Sequence, residues 1–290
     1  MDSDINVVSA DNFPPSLCPL LETPEPPQKL HWRGELPGPE TVLLSVVGSR
    51  KYSEYGRAAC EHIIKGLAGM DVTIVSGLAL GIDSIAHRAA LDAGLKTIAV
   101  PGSGLSDEVL YPREHFFLAR EIIENGGALI SEFEPDFRAT PYSFPRRNRI
   151  MAGLSGGVLV VEAEMRSGTL ITARLALDYG RNVYAVPGPI FSENAKGVNW
   201  LIRQGATPIT NALELLDELG IEAVNTGDGH YTENFSTEEK IVFEIVSEPV
   251  TRDKLFELSG LAPEKLTSAL SLLEIKGIIK EEGGFIRRSV

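Results

Sequence analysis

Three arginines fall within four residues of "SFPRRNR": Arg146, Arg147 and Arg149, with Asn148 between them. A fourth, Arg50, is followed by Lys51 in "VVGSRK". A guanidinium grips a phosphate through two parallel hydrogen bonds, and an ammonium adds a compact charge. Glycine beside a hydroxyl recurs at three further places: Gly48-Ser49, Ser76-Gly77 with Gly81 downstream, and Ser167-Gly168-Thr169. Glycine lets the main chain approach a ligand closely, and N–H groups at a helix N-terminus favour anions. The chemistry these residue types offer is phosphate binding. The chain carries a formal net charge of −13, which argues against a protein that coats nucleic acid everywhere. One focused cationic site remains compatible with it, because distant carboxylates are screened beyond a Debye length of ~10 Å.

The spacing matches neither G-x-G-x-x-G nor G-x-x-x-x-G-K-[ST], so neither a dinucleotide nor a nucleoside triphosphate is indicated. The histidines form no metal-ligand spacing, no serine sits in G-x-S-x-G, and no dense carboxylate set suggests a two-metal nuclease. No cofactor, metal or catalytic residue is expected. Asp83 and His87 stand at i and i+4 of one predicted helix. A structural role, with Asp83 capping the helix or binding an adjacent turn, is preferred there over an acid/base pair.

These residues need elements to hold them. "TVLLSVV" (41–47), "VTIVS" (72–76), "TIAV" (97–100), "ALIS" (128–131), "GVLVVEA" (157–163) and "VYAV" (183–186) are short apolar runs rich in Val and Ile, separated by helical stretches. Strands that are apolar throughout, alternating with helices, predict an α/β fold with a parallel sheet covered on both faces. In such a sheet ligands sit outside the carboxyl ends of the strands. The Gly-Ser and Gly-Thr pairs follow strands directly, so they converge on that rim. "SFPRRNR" opens a helix there, with Pro145 suited to its first turn. Arg146 and Arg149 share one face of that helix and Arg147 points elsewhere. At least one of the three is expected to pair internally with Glu132 or Glu162.

The 290 residues have room for one large domain and a small one, and 43% of them are apolar. Residues 1–40 are Pro-rich and read as an extended segment packed on, or leading into, the core. Residues 41–220 form the α/β domain. Residues 221–235 are polar and read as a linker. In residues 236–290 a capping-box pattern (Ser236, Glu239), a helix ending at Gly260, a third helix with Leu266, Leu270 and Leu273 on one face, and two strands around Gly283-Gly284 resemble a winged helix. No apolar run approaches the ~18 residues that span a membrane. The acidic N-terminus lacks the features of a secretory signal, and Cys18 and Cys60 stand far apart, so a reduced, cytoplasmic protein is expected.

"SVVGSRKYSEYG", "IVSGLALGIDSIAH", "SFPRRNRIMAGLS" and "RSGTLITARLALDYGRNVYAVPG" resemble, in order and spacing, the signature blocks of the DNA-processing protein A (DprA/Smf) family. The likeness covers about residues 11–220, and the unit from Ser236 is similar to the winged helix that ends many members. The resemblance implies an extended Rossmann-like fold that binds single-stranded DNA. It also implies a homodimeric recombination mediator without enzymatic activity. Such a mediator displaces single-strand DNA-binding protein and loads RecA during natural transformation. It places Arg50 in a positive pocket with Gly48, Ser49, the Ser76–Gly81 loop and Arg147 to Arg149 around it.

Two departures stand out. Many members begin with a helical SAM-like domain, for which the stretch before residue 11 leaves no room. Where the family often reads Y-P-x-x-N, this chain has "YPREH", with His115 in place of Asn, followed by Phe116 and Phe117 where some relatives carry a basic residue. These phenylalanines either stack on bases or belong to the core. In the winged helix Lys265 and Lys276 are offset by Glu264 and Glu274, which argues against strong duplex binding and leaves a protein-binding or regulatory role open. Two other readings compete: a Rossmann-like nucleotide or phosphoribosyl hydrolase, echoed by "RSGTLITA" near Glu162 and Glu164, and a purely protein-binding scaffold.

Overall fold

The computed structural model describes residues 5–221, 235–246, 249–276, 278–282 and 284–288. The chain divides into two compact units, Met1–Ala223 and Val224–Val290.

The first unit is built on a nine-stranded sheet in the order β1-β2-β6-β5-β4-β3-β7-β8-β9. Its parallel part comprises β3 (Val42–Val47), β4 (Val72–Ser76), β5 (Thr97–Ala99), β6 (Ala128–Ser131), β7 (Gly157–Val160), β8 (Asn182–Ala185) and β9 (Thr207–Pro208). These strands read as continuous apolar runs because both faces are buried. Leu43 and Val47 of β3 pack into one core with Val75, Val158 and Val160, whereas Leu44 and Val46 pack into the other with Ile74 and Leu159. The helices α4 (Ser143–Leu154), α5 (Gly168–Asp178) and α6 (Glu193–Arg203) contribute to the first core. The second core holds side chains of α1 (Glu54–Lys65), α2 (Ile82–Asp92) and α7 (Ala212–Glu218). A further helix, α3 (Phe116–Glu124), joins β5 to β6 and packs on a smaller cluster with Leu105 and Leu129.

The Pro-rich segment holds more order than its composition suggests. β1 (Asn6–Ser9) and β2 (Lys29–Gly34) add two antiparallel strands to the sheet beside β6. Between them a 3-10 stretch, Pro15–Glu22, buries Leu17 and Leu20 in the first core.

The chain builds outward from β3 through β4, β5 and β6, then returns to place β7 on the other side of β3. That reversal leaves a crevice at the carboxyl ends of β3 and β7, the switch point where open α/β sheets receive ligands.

The second unit packs α8 (Thr237–Ile245), α9 (Arg252–Ser259) and α10 (Pro263–Ile275) with a hairpin of β10 (Ile279–Glu282) and β11 (Phe285–Arg288). Ser236 and Glu239 close a capping box, Gly260 ends α9 in the left-handed region, and Leu266, Leu270 and Leu273 are buried. The linker predicted at 221–235 lies, apart from Ile221 and Phe235, outside the described residues, as does Gly283.

Candidate nucleic-acid interface

A cavity of about 410 Å3 opens at the switch point. Four segments line it: Val47 to Lys51 after β3, Ala79 and Asp83 before and within α2, one face of α4, and Glu164 with Ser167 to Thr172 after β7. On α4 the lining residues are Phe144, Pro145, Arg147, Asn148 and Met151. Spacings of three, four and seven from Phe144 place four of them on one helical stripe.

Arg50 and Lys51 are exposed, and among the described residues neither has a carboxylate partner. The Arg50 guanidinium lies 5.2 Å from the centroid of the Phe144 ring, which in turn sits 5.7 Å from Tyr111. The loop carrying Arg50 is held in place from below. The Gly81 carbonyl region and the Ser49–Arg50 main chain touch so closely that a Cβ at Gly81 would lie 2.7 Å from the Arg50 Cα. Gly81 has φ +90, a conformation costly for any residue with a side chain. The Ile82 N–H, opening α2, donates to the Ser49 carbonyl at 3.2 Å. Thr169 Oγ1 donates to the Gly48 carbonyl at 3.1 Å, tying the β3 and β7 loops together. Asn194 Nδ2 donates to the Lys51 carbonyl at 2.6 Å.

Arg147 plays a different part. It is buried and donates to the Gly77 and Val100 carbonyls, while its Nε donates to Asn148 Oδ1 at 3.1 Å. Burial lowers its guanidinium to about 10, against the opposing pull of Asp83. Burial likewise raises the Asp83 carboxyl, opposed by Arg147, by Arg50 and by main-chain hydrogen bonds from Ala79 and Gly77. Asp83 thus occupies the turn between β4 and α2 with its own carboxylate, the structural role preferred from sequence. Gly77 lacks a side chain for a packing reason: its Cβ would stand 2.5 Å from Asp83 Oδ2.

The Ser76–Gly81 loop is therefore not an open phosphate cradle. Ser76 is fully buried and its Oγ donates to the Val46 carbonyl at 2.6 Å. Its neighbour Leu78 has φ +59, and its carbonyl accepts a 2.7 Å bond from His115 Nδ1. His115, the departure from Y-P-x-x-N, is a buried brace for that loop.

Arg146 and Arg149 do not line the cavity. Both guanidiniums engage Glu132: Arg146 Nε at 3.0 Å from Oε2, and Arg149 Nη2 on Oε1 with a second bond to the Glu25 carbonyl. The shared face expected from their spacing is real, and it is turned toward an acid. Phe116 and Phe117 also lie off the cavity. Phe116 packs on the α3 cluster with the Arg113 guanidinium 4.4 Å from its ring, whereas Phe117 is 77% exposed. The aromatic residue at the cavity is Phe144, which the helical stripe of "SFPRRNRIM" could have revealed.

At the opposite wall, Ser167 precedes α5 without a side-chain capping bond, and its Oγ is buried without a partner. Glu162 is buried and occupied: its carboxylate accepts from Ser53 N at 2.9 Å and Ser53 Oγ at 2.5 Å, ahead of α1. Glu164, by contrast, lines the cavity. Among the described residues no group of three His, Cys, Asp or Glu side chains is arranged to hold a metal ion, and no helix is long and apolar enough to cross a membrane.

The profile of a family described as DNA recombination-mediator protein A matches residues 5–220, the whole of the unit that carries this cavity. The chain belongs to that family. A second profile, the DprA winged helix domain, matches residues 236–284. Among its relatives, the chain is 40% identical to Protein Smf of Escherichia coli over 97% of its own length and 77% of that protein's. It is 43% identical to DNA processing protein DprA of Streptococcus pneumoniae, over 69% of each chain. The X-ray structure of the pneumococcal protein superposes with a TM-score of 0.69 at 39% identity, covering 74% of this chain and 75% of that one. DNA processing protein A of Helicobacter pylori, described for its single-stranded DNA binding mode, superposes with a TM-score of 0.64 at 29% identity, covering 74% and 95%.

In this family member the winged helix has its own charge pattern. Lys265 and Lys276 of α10 are paired with α8 carboxylates, Glu238 at 2.7 Å and Glu239 at 2.6 Å, rather than balanced by Glu264 and Glu274.

Proposed function

We propose that this protein is a recombination mediator that binds single-stranded DNA in the cavity between β3 and β7. In this reading Arg50 and Lys51 hold backbone phosphates, with Gly48, Ser49 and the first turn of α5 (Gly168, Thr169) as further main-chain and hydroxyl contacts. Arg147 and Asn148 form the cavity floor. Binding is largely independent of sequence, because phosphates carry no sequence information. The observation that carries the reading is a pair of cations without carboxylate partners at a sheet switch point of an otherwise acidic protein. The Helicobacter pylori relative supports the choice of a single strand as ligand. Working as a homodimer, the protein displaces single-strand DNA-binding protein and loads RecA onto DNA entering during natural transformation.

The test compares single- and double-stranded oligonucleotides in gel shifts across a salt series, with and without residues 221–290. Single strands are expected to be preferred, with affinity falling steeply as salt rises. Equal or absent binding at low salt would overturn the assignment. Loading is tested by RecA filament assembly on oligonucleotides coated with single-strand DNA-binding protein. Assembly is expected to accelerate when the protein is added.

A further inference from the structure

The cavity contains a group that a pure phosphate site would not keep. Glu164 lines it together with Arg50 and Lys51, and among the described residues its carboxylate makes no hydrogen bond or ion pair. A free carboxylate facing a polyanion is repulsive unless something on the ligand donates to it. Ser167 Oγ, also on the lining, is buried and unpartnered, a state that polar groups in folded proteins rarely keep without a ligand or water. The remaining wall is apolar, formed by Phe144, Met151 and Ile171. At about 410 Å3 the space is larger than a phosphate group needs. The ligand that satisfies all of this has an anionic end, a flat apolar body and an edge that donates hydrogen bonds.

Resting on the DNA-binding reading above, we infer that the cavity takes one guanine base of the bound strand, read by Glu164 and Ser167. Guanine is the base that presents two adjacent donors, N1–H and N2–H, matching both oxygens of one carboxylate. Its O6 lies next to them and accepts from a hydroxyl. Adenine and cytosine offer one amino group beside a ring acceptor, which repels the second carboxylate oxygen. Thymine offers a single N–H between two carbonyls. The strand is held by its phosphates, and one position along it is selected.

The experiment uses the full chain and fluorescence anisotropy. The probes are oligo-dT of 20 nucleotides and the same strand with one central guanine, adenine, cytosine or hypoxanthine. Guanine is expected to bind about tenfold more tightly than thymine, in line with one bidentate contact. Adenine and cytosine should match thymine, and hypoxanthine, which lacks the N2 amine, should lose most of the gain. Glu164→Ala should abolish the preference while oligo-dT binds at least as well as before. Equal affinity for all five strands, or a guanine preference that survives in Glu164→Ala, overturns the inference and leaves the DNA-binding reading standing. Failure of every strand to bind at low salt removes both.

Discussion

The Arg50 guanidinium lies over the Phe144 ring, 5.2 Å from its centroid, at the mouth of a cavity where no carboxylate neutralises it. The contact pre-positions a charge without spending it on an ion pair. Arg50→Ala should therefore weaken single-stranded DNA binding and flatten the dependence of log affinity on log salt by about 0.7 to 1 unit, the share of one phosphate contact on a single strand. Phe144→Ala should weaken binding too, by about 1–3 kcal/mol if a base stacks there, yet leave the slope unchanged. Anisotropy titrations from low to high salt separate the two.

Arg149 should behave in the opposite way. Its guanidinium is spent on Glu132 and the Glu25 carbonyl, joining α4 to the end of β6 and to the N-terminal segment. Arg149→Ala is expected to lower the melting temperature and leave the salt slope of DNA binding unaltered. Glu132→Ala strands a largely buried arginine, so a loss of about 3 kcal/mol is expected, the low end for breaking a buried pair. Thermal melts paired with the same titrations decide it. A change in slope for Arg149→Ala would return that residue to the ligand set.

The sheet was legible because strands buried on both faces leave uninterrupted apolar runs. β1 and β2 were not, since "NVVS" and "KLHWRG" are short and embedded among prolines that mimic an arm. In "SFPRRNR" the helical phase separated Arg147 from Arg146 and Arg149. It could not say which side meets the cavity, because that depends on Glu132, delivered by a distant strand. The Ser76–Gly81 glycines read as a phosphate loop. What fills that loop is Asp83, a helix residue whose role follows from a tertiary contact with Arg147. His115 against the Leu78 carbonyl is similarly invisible to spacing, as 37 residues separate them.

The buried polar layer beneath the cavity predicts a pH response. His87 is fully buried, its Nδ1 2.7 Å from Thr97 Oγ1 and its Nε2 without a partner, and burial holds it down to about 3. In the unfolded chain it titrates near its ordinary 6.5. Between these values the unfolded state binds more protons, so stability is lost as pH falls from 6.5, by up to about 1.4 kcal/mol per unit for this group. His31, also lowered by burial, adds with the same sign. Asp83, raised by burial, has the opposite effect above its ordinary 3.8, so the histidine contribution is clearest between pH 7 and 5. Melting temperature should drop over that interval, and His87→Leu should shrink the drop. An identical drop in the variant would place the response elsewhere.

Gly81 offers the sharpest test that one loop positions another. Its φ of +90 already disfavours a side chain, and the added methyl would collide with the Arg50 main chain, which cannot rotate away as a side chain would. Gly81→Ala must therefore push the β3–α1 loop outward or strain the start of α2, at about 2 kcal/mol or more. Displacing the loop carries Arg50 and Lys51 with it, so DNA affinity should fall further than in Arg50→Ala alone. Gly180→Ala is the control, with a similar φ of +67 and nothing within 4 Å of the new methyl. That variant should lose stability from backbone strain while binding DNA as the parent does. If both variants bound DNA equally well, the close contact between Gly81 and the Arg50 loop would not be what sets the cavity's charge in place.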